Sequence, residues 1–242
     1  MKYIIEGKTD PGNIRKTNED KFSFLETDQY VAALVCDGMG GYNGGALAAE
    51  ISTETIINHF KGLPADFDTE KEIISAFKLA NDAIAEKALN SRDYSQMGTT
   101  AAFLLINNSE FTTAHLGDSR IYLIRENHIR CLTKDHSKIQ QLMDEQNITH
   151  AEALKISDKN IITRALGING LSKPDISVKS NVHINDIFII CSDGLTNYIN
   201  NDELHDLAAE FPPATACEQL IYLANLRGGE DNITVLIVKA VD

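Results

Sequence analysis

The 242-residue sequence has no Trp, only five Pro, and four Cys, none of them in a Cys-x-x-Cys pair. Cys36 and Cys191 close apolar runs, the usual setting of a buried free thiol, and Cys131 and Cys217 are far from both. A reducing cytosol is the expected compartment. No apolar run approaches the ~18 residues a membrane span needs. The opening Met1-Lys2-Tyr3-Ile4-Ile5-Glu6 is charged too soon to read as a signal peptide. Basic residues are also in deficit, 22 Lys+Arg against 35 Asp+Glu, a net charge of −13. A basic footprint for nucleic acid is therefore missing. So is the polybasic patch that docks on an anionic membrane.

The familiar catalytic signatures are absent as well. There is no Walker A loop, no His-Glu-x-x-His and no Gly-x-Ser-x-Gly elbow, and Gly38–Asn43 fails Gly-x-Gly-x-x-Gly at its last position. No Cys is followed six residues later by Arg, which removes a cysteine-nucleophile phosphatase loop, and the seven His are scattered. Chemistry is left to the carboxylates.

What is present is a 43 % hydrophobic chain, too apolar to be disordered. Its length allows one large domain or two small ones. Strand-like runs cover 22–25, 30–36, 100–106, 111–116, 120–125, 129–132, 176–182, 187–191 and 233–238. Short turns such as Asn107-Asn108-Ser109 and Glu126-Asn127 favour antiparallel pairing, since parallel strands need a long crossover. Helices are predicted over 45–60, 70–91 and 213–227. The second starts at a Thr69-x-x-Glu72 capping box and aligns Ile73, Phe77, Ala80, Ile84 and Ala88 on one face. The polar stretch 135–170 carries another capping box, Thr149-x-x-Glu152, and reads as an insertion over a β framework. The simplest layering is a single α+β domain over 1–242, with two antiparallel sheets and helices outside them.

Acidic residues recur where apolar strands end, beside Gly, Asn or Ser: Asn18-Glu19-Asp20, Asp37-Gly38, Gly117-Asp118-Ser119, Asp193-Gly194 and Asp231-Asn232. Each pair alone is first of all a turn signal. Asp37 and Asp193, however, both follow an apolar strand and precede Gly in distant parts of the chain. Burying such acids near one another is costly without a cation. Mg²⁺ and Mn²⁺ seek such oxygens. Arg15, four residues before Glu19, is suited to grip a phosphate oxyanion, with a surface ion pair as the plainer alternative.

Taken in order, eight segments resemble the metal-dependent protein serine/threonine phosphatases of the protein phosphatase 2C family, in its compact bacterial form. They are Gly12-x-x-Arg15-x-x-Asn18-Glu19-Asp20, Asp37-Gly38-Met39-Gly40-Gly41, Gly98-Thr99-Thr100, Leu116-Gly117-Asp118-Ser119-Arg120, Thr133-Lys134-Asp135-His136-Ser137, Thr163-Arg164-Ala165-Leu166-Gly167, Ser192-Asp193-Gly194-Leu195 and Gly229-x-Asp231-Asn232-Ile233-Thr234. The resemblance implies a β-sandwich of two antiparallel sheets flanked by helical layers. It also implies two Mn²⁺ or Mg²⁺ ions at one edge, and hydrolysis of phosphoserine and phosphothreonine by direct attack of a water bridging them. Asp37 would bridge the ions, Asp193 and Asp231 would bind one, and Glu19 with the Gly38 carbonyl the other. Asp20 would hold metal-bound water, Arg15 would bind the phosphate, and Asp118 with Asp193 would hold a third, weaker ion. Arg15, Asp37 and Asp193 are the expected catalytic set, and 135–170 corresponds to a flap beside the site. The implied partners are phosphorylated proteins and an opposing Ser/Thr kinase, with the protein itself a monomer. Animal relatives have His where Met39 stands, so the general acid is expected to be a metal-bound water, with His136 second. The rival readings are a catalytically inactive pseudophosphatase acting as a regulatory binding module, an unrelated metal-dependent hydrolase such as a nuclease, and a metal-free acidic interaction domain.

Overall fold

The structure is a computed structural model describing residues 1–40, 44–64, 66–90, 92–153, 155–156, 161–168, 173–177 and 179–242. Gly41 and parts of the expected flap lie outside the described residues. The first half of the chain contains β1 (Lys2–Asp10), β2 (Asp20–Glu26), β3 (Tyr30–Met39), α1 (Gly44–Lys61), α2 (Thr69–Leu89), β4 (Gly98–Thr99), β5 (Ala101–Asn107) and β6 (Glu110–Leu116). The second half contains β7 (Arg120–Arg125), β8 (His128–Cys131), α3 (Lys138–Gln146), α4 (His150–Ala153), β9 (Asp175–Ile176), β10 (Ser180–Asn181), β11 (Ile187–Cys191), α5 (Asp193–Thr196), α6 (Asn201–Glu210), α7 (Pro213–Leu226) and β12 (Ile233–Val241).

One sheet has the order β1-β12-β11-β7-β8; the other runs β10-β6-β5-β3-β2, with β4 paired to β3 and β9 to β6. Every pairing is antiparallel, as the short turns predicted. In the β5–β6 turn Asn108 and Ser109 take φ of +53° and +62°, the paired left-handed conformation that matches strand twist in a tight hairpin.

The period-two alternation of β3 divides the interior. Val31, Ala33 and Val35 face the other sheet and meet Phe188, Ile190, Leu236 and Val238. Tyr30, Leu34 and Cys36 face the opposite way, against Ile56, Phe60, Ile73 and Phe77 of α1 and α2. On the far side Ile189, Cys191, Val235 and Ile237 pack under Leu204, Leu220 and Ala224 of α6 and α7. The result is the α-β-β-α layering expected from the sequence.

Local details differ. The N-cap of α2 is Asp68, whose side chain accepts from the Lys71 amide at 3.2 Å, because Glu72 turns instead to the His59 ring at 2.8 Å. The Thr149/Glu152 box forms as predicted, with both reciprocal bonds in place. The strand expected over 176–182 is split into the two-residue β9 and β10. β1 and α6 escaped the pattern reading. β1 exposes alternate residues, Lys2, Ile4 and Glu6 among them, as an edge strand does. α6 is opened by an Asn200/Glu203 capping box that no Ser or Thr announces.

The topology delivers the acids to one end of the sandwich. Antiparallel pairing sets the first residue of β2 beside the end of β3, so that Asp20 lies opposite Asp37. In the other sheet Cys191 lies opposite both Val235 and Arg120, so Asp193, Asp231 and Asp118 emerge together just beyond the ladder.

Candidate metal centre

Asp20 joins the two sheets. Its Oδ2 accepts from the hydroxyls of Ser192 and Thr234, both at 2.7 Å, while Oδ1 is buried with no hydrogen-bond partner. Asp37 is fixed through its backbone. Its N–H donates to Thr100 Oγ1 at 2.9 Å, and its carbonyl accepts from the Thr99 hydroxyl and the Thr100 N–H, each at 2.9 Å. The Thr100 hydroxyl also meets Ser119 Oγ at 2.7 Å, tying the Asp37 strand end to the Asp118 loop. Gly117 there takes φ +97°, and a Cβ would collide with the Thr100 side chain at 2.5 Å. Gly38 is required for closeness of another kind, since a Cβ would fall 2.1 Å from the Gly45 carbonyl oxygen where α1 crosses β3.

Glu19 and Arg15 sit on the loop between β1 and β2, and Asn232 staples that loop. Asn232 Oδ1 accepts from the Glu19 N–H at 2.8 Å, and its Nδ2 donates to the carbonyls of Pro11 at 2.9 Å and Thr17 at 3.0 Å. Arg15 is half exposed and its Nη2 donates to Asp231 Oδ2 at 2.9 Å. Asp193 opens α5, with Oδ2 3.3 Å from Asn197 Nδ2.

The electrostatics are those of crowded acids. Burial, then Asp20, Asp193, Asp118 and Asp231, push the Asp37 carboxyl well above its ordinary range. Burial pushes Asp20 up to about 7, against the lowering effect of the Ser192 and Thr234 hydroxyls. Asp118 also rises to about 7, through burial and then the charges of Asp193 and Asp135. Asp193 is raised by burial and Asp231, and Glu19 by burial against partial relief from the Ala46 amide and Arg15. Among the described residues, protein cations do not resolve this. Arg120 is committed to Asp135 through two bonds of 2.9 and 2.6 Å, and Arg15 stands at the rim.

All the predicted positions, Arg15, Glu19, Asp20, Asp37, Gly38, Asp118, Asp193 and Asp231, thus lie at or around one end of the sandwich. The donor set fits hard divalent cations. It is all oxygen, mutually repelling, and includes two buried carboxylate oxygens without partners, Asp20 Oδ1 and Asp118 Oδ1. Thr100, Ser192, Asn232 and Thr234 had no assigned role from sequence. Their signal was that each lies within a quoted segment.

His136 is not poised as an acid over this centre. It stands at the start of the 135–170 segment with both ring nitrogens engaged, Nδ1 by the Gly117 N–H at 3.2 Å and Nε2 by Asp175 at 3.1 Å. Lys134 is paired with Asp144 at 2.7 Å. The four cysteines are free thiols, and burial raises those of Cys36, Cys191 and Cys217.

A two-sheet sandwich with an oxygen-lined acidic end defines a class of proteins able to hold divalent cations, and comparison with known proteins makes the class specific. Residues 12–233 match the family "Protein phosphatase 2C". The chain belongs to that family. It is 35 % identical over 239 residues to "Serine/threonine phosphatase stp" of Listeria welshimeri, covering 97 % of this chain and 94 % of that one. It is 33 % identical over 237 residues to "Protein phosphatase PhpP" of Streptococcus pneumoniae, covering 96 % and 95 %. Among solved structures, the Mycobacterium tuberculosis serine/threonine phosphatase PstP/Ppp superposes with a TM-score of 0.89 at 29 % identity, covering 99 % of both chains. A structure of the PstP catalytic domain in complex with two manganese ions superposes at 0.87, with 30 % identity and 99 % of both chains covered.

Proposed function

We propose that this protein is a metal-dependent protein serine/threonine phosphatase that hydrolyses phosphoserine and phosphothreonine in other proteins. The observation that carries the reading is the gathering of acids from both sheets at one end of the sandwich, with two buried carboxylate oxygens unpaired. The PstP complex with two manganese ions supports two Mn²⁺ or Mg²⁺ ions for this chain. Asp37, Asp193, Asp231, Glu19 and the Gly38 carbonyl hold them, and Asp118 with Asp193 holds a third, weaker one. When bound, the ions supply an activated water and offset charge on the phosphoryl oxygens.

The chain's own residues do the rest. Arg15 is exposed enough to exchange Asp231 for a phosphate oxygen, and its planar fork suits two of them. Asp20 is anchored through Oδ2, so Oδ1 is directed to hold a water in the site. Met39 has no proton to give the leaving alkoxide, which would leave that role to a water that the bound ions would supply. The catalytic unit spans 1–242, with a flap over about 135–170, and works as a monomer opposite a Ser/Thr kinase in the cytoplasm. Among the described residues no helix is long and apolar enough to cross a membrane.

A pseudophosphatase is disfavoured because every proposed metal position carries its oxygen donor. Hydrolysis of p-nitrophenyl phosphate with Mn²⁺ and with chelator separates the two. The proposal expects turnover that chelator abolishes; manganese uptake without turnover would establish the inactive binding module instead.

A further inference from the structure

The site leaves one well-bonded residue without a role. Asn13 stands between Gly12 and Ile14 on the loop that carries Arg15. Its side-chain nitrogen donates to the carbonyls of Asn225 at 2.7 Å and Gly228 at 3.0 Å, and its main-chain N–H donates to the Gly229 carbonyl at 2.7 Å. All three acceptors belong to the end of α7 and the turn that follows it, where a helix's last carbonyls outrun its own donors. A side-chain amide has two N–H groups, and both are used there.

The neighbouring contacts tighten the same seat. Asp10 Oδ1 accepts from the Gly12 N–H at 2.9 Å and from Asn225 Nδ2 at 3.0 Å, a second link between the loop and the helix end. Gly12 takes φ +78°, and a Cβ there would fall 2.3 Å from the Asp231 carbonyl oxygen, so the loop rests directly on the main chain of Asp231. Farther along, Asn232 Nδ2 holds the Thr17 carbonyl. Arg15 lies between the anchors at Asn13 and Thr17, and its guanidinium meets Asp231. The backbone that carries Arg15 and the carboxylate that Arg15 meets are thus both referred to the short stretch 225–232.

We propose that Asn13 is a positioning residue that fixes where the Arg15 guanidinium stands relative to Asp231, and so where the phosphate group of the substrate is received. This rests on the function proposed above. An arginine side chain is long and rich in rotamers, and this one is half exposed, so its reach is set by the backbone from which it springs. With the loop clamped on both sides, Arg15 is presented at the rim in advance, and less ordering is left to the binding step. Asn13 acts only through Arg15.

Steady-state kinetics with a phosphothreonine peptide and Mn²⁺, with inorganic phosphate as a competing ligand, tests this in a double-mutant cycle. Asn13→Ala should raise KM and the inhibition constant of phosphate together by ~5-fold or more, the scale of one or two hydrogen bonds, with kcat unchanged. In an Arg15→Ala background the same substitution should change neither constant, because the group it positions is gone. Asn13→Asp keeps the shape but turns a carboxylate oxygen toward two carbonyls at the negative end of α7, so it should raise both constants at least as much. Mn²⁺ affinity read by calorimetry should be the same in every Asn13 variant as in wild type. An unchanged KM in Asn13→Ala, an equal rise with and without Arg15, or an Asn13→Asp variant that matches wild type overturns the proposal. So does a loss of Mn²⁺ affinity as large as the rise in KM, which would place the effect on Asp231 instead. Wild-type protein with no Mn²⁺-dependent turnover removes the function beneath, and this proposal with it.

Discussion

The crowded acids should make the chelated protein less stable as pH rises through the range in which most proteins are insensitive to it. Asp118 is the cleanest probe, being 8 % exposed with its carboxyl raised from 3.8 to about 7 by burial and then by Asp193 and Asp135. In the unfolded chain it ionises at its ordinary value. Between about pH 4 and 7 the folded state therefore holds the extra proton, so stability falls with rising pH over that window and levels off above it. At ~1.4 kcal/mol per pH unit the full penalty is about 4 kcal/mol. Asp118→Asn removes the charge at constant shape. In chelator the variant and wild type should melt together near pH 4. They should separate progressively to pH 8, with the variant higher by up to ~10 °C, at roughly 2–4 °C per kcal/mol for a chain of this size. Excess Mn²⁺ should shrink the gap, because a cation stabilises only a protein that keeps its ligands. Differential scanning calorimetry at four pH values decides it. A gap independent of pH, or a variant that melts lower than wild type at pH 8 in chelator, would refute the reasoning.

Three further outcomes follow from the same geometry. Arg15→Ala should chiefly raise KM for a phosphopeptide, because the half-exposed side chain, paired with Asp231, is placed at the rim to meet substrate; steady-state kinetics showing unchanged KM contradicts this. Asn232→Ala should cost ~1–3 kcal/mol by leaving the Glu19 N–H and the Pro11 and Thr17 carbonyls without their partner, and should weaken Mn²⁺ binding measured by calorimetry. Phe103→Ala should cost ~3–5 kcal/mol in urea unfolding, since Phe103 stacks on Phe60 at 5.0 Å and meets Phe77 edge-on at 6.3 Å in the core between sheet and helices.

The sandwich was legible because its central strands carry clean signals. β3 and β11 are apolar runs with abrupt acidic ends, and the hairpin at 107–109 advertises itself by composition. β1 was invisible for a physical reason, since an edge strand with exposed Lys2 and Glu6 has no apolar period to read. α6 was hidden by its acids and by an Asn cap. The acidic residues of the site were legible as strand-end pairs, because a carboxylate beside Gly or Asn is a local feature. The residues that hold them in place were not. Asn232, Thr100 and Ser192 act across sequence separations of 213, 63 and 172 residues, and only the register of the paired strands brings those partners together. His136 shows the same limit. Sequence offered it as the second candidate for the general acid, and the hydrogen bonds of its ring show both nitrogens engaged by Gly117 and Asp175 instead.

The central claim is that the acidic end of the sandwich hydrolyses phosphoserine and phosphothreonine through divalent cations that its carboxylates hold. Phosphate release from matched phosphothreonine and phosphotyrosine peptides, titrated with Mn²⁺ for wild type and Asp37→Ala, measures it most directly. The account predicts saturable, chelator-sensitive release from the phosphothreonine peptide, strong preference over phosphotyrosine, and no release by Asp37→Ala at any Mn²⁺ concentration. Release that survives chelation, or wild-type rates in Asp37→Ala, would contradict it.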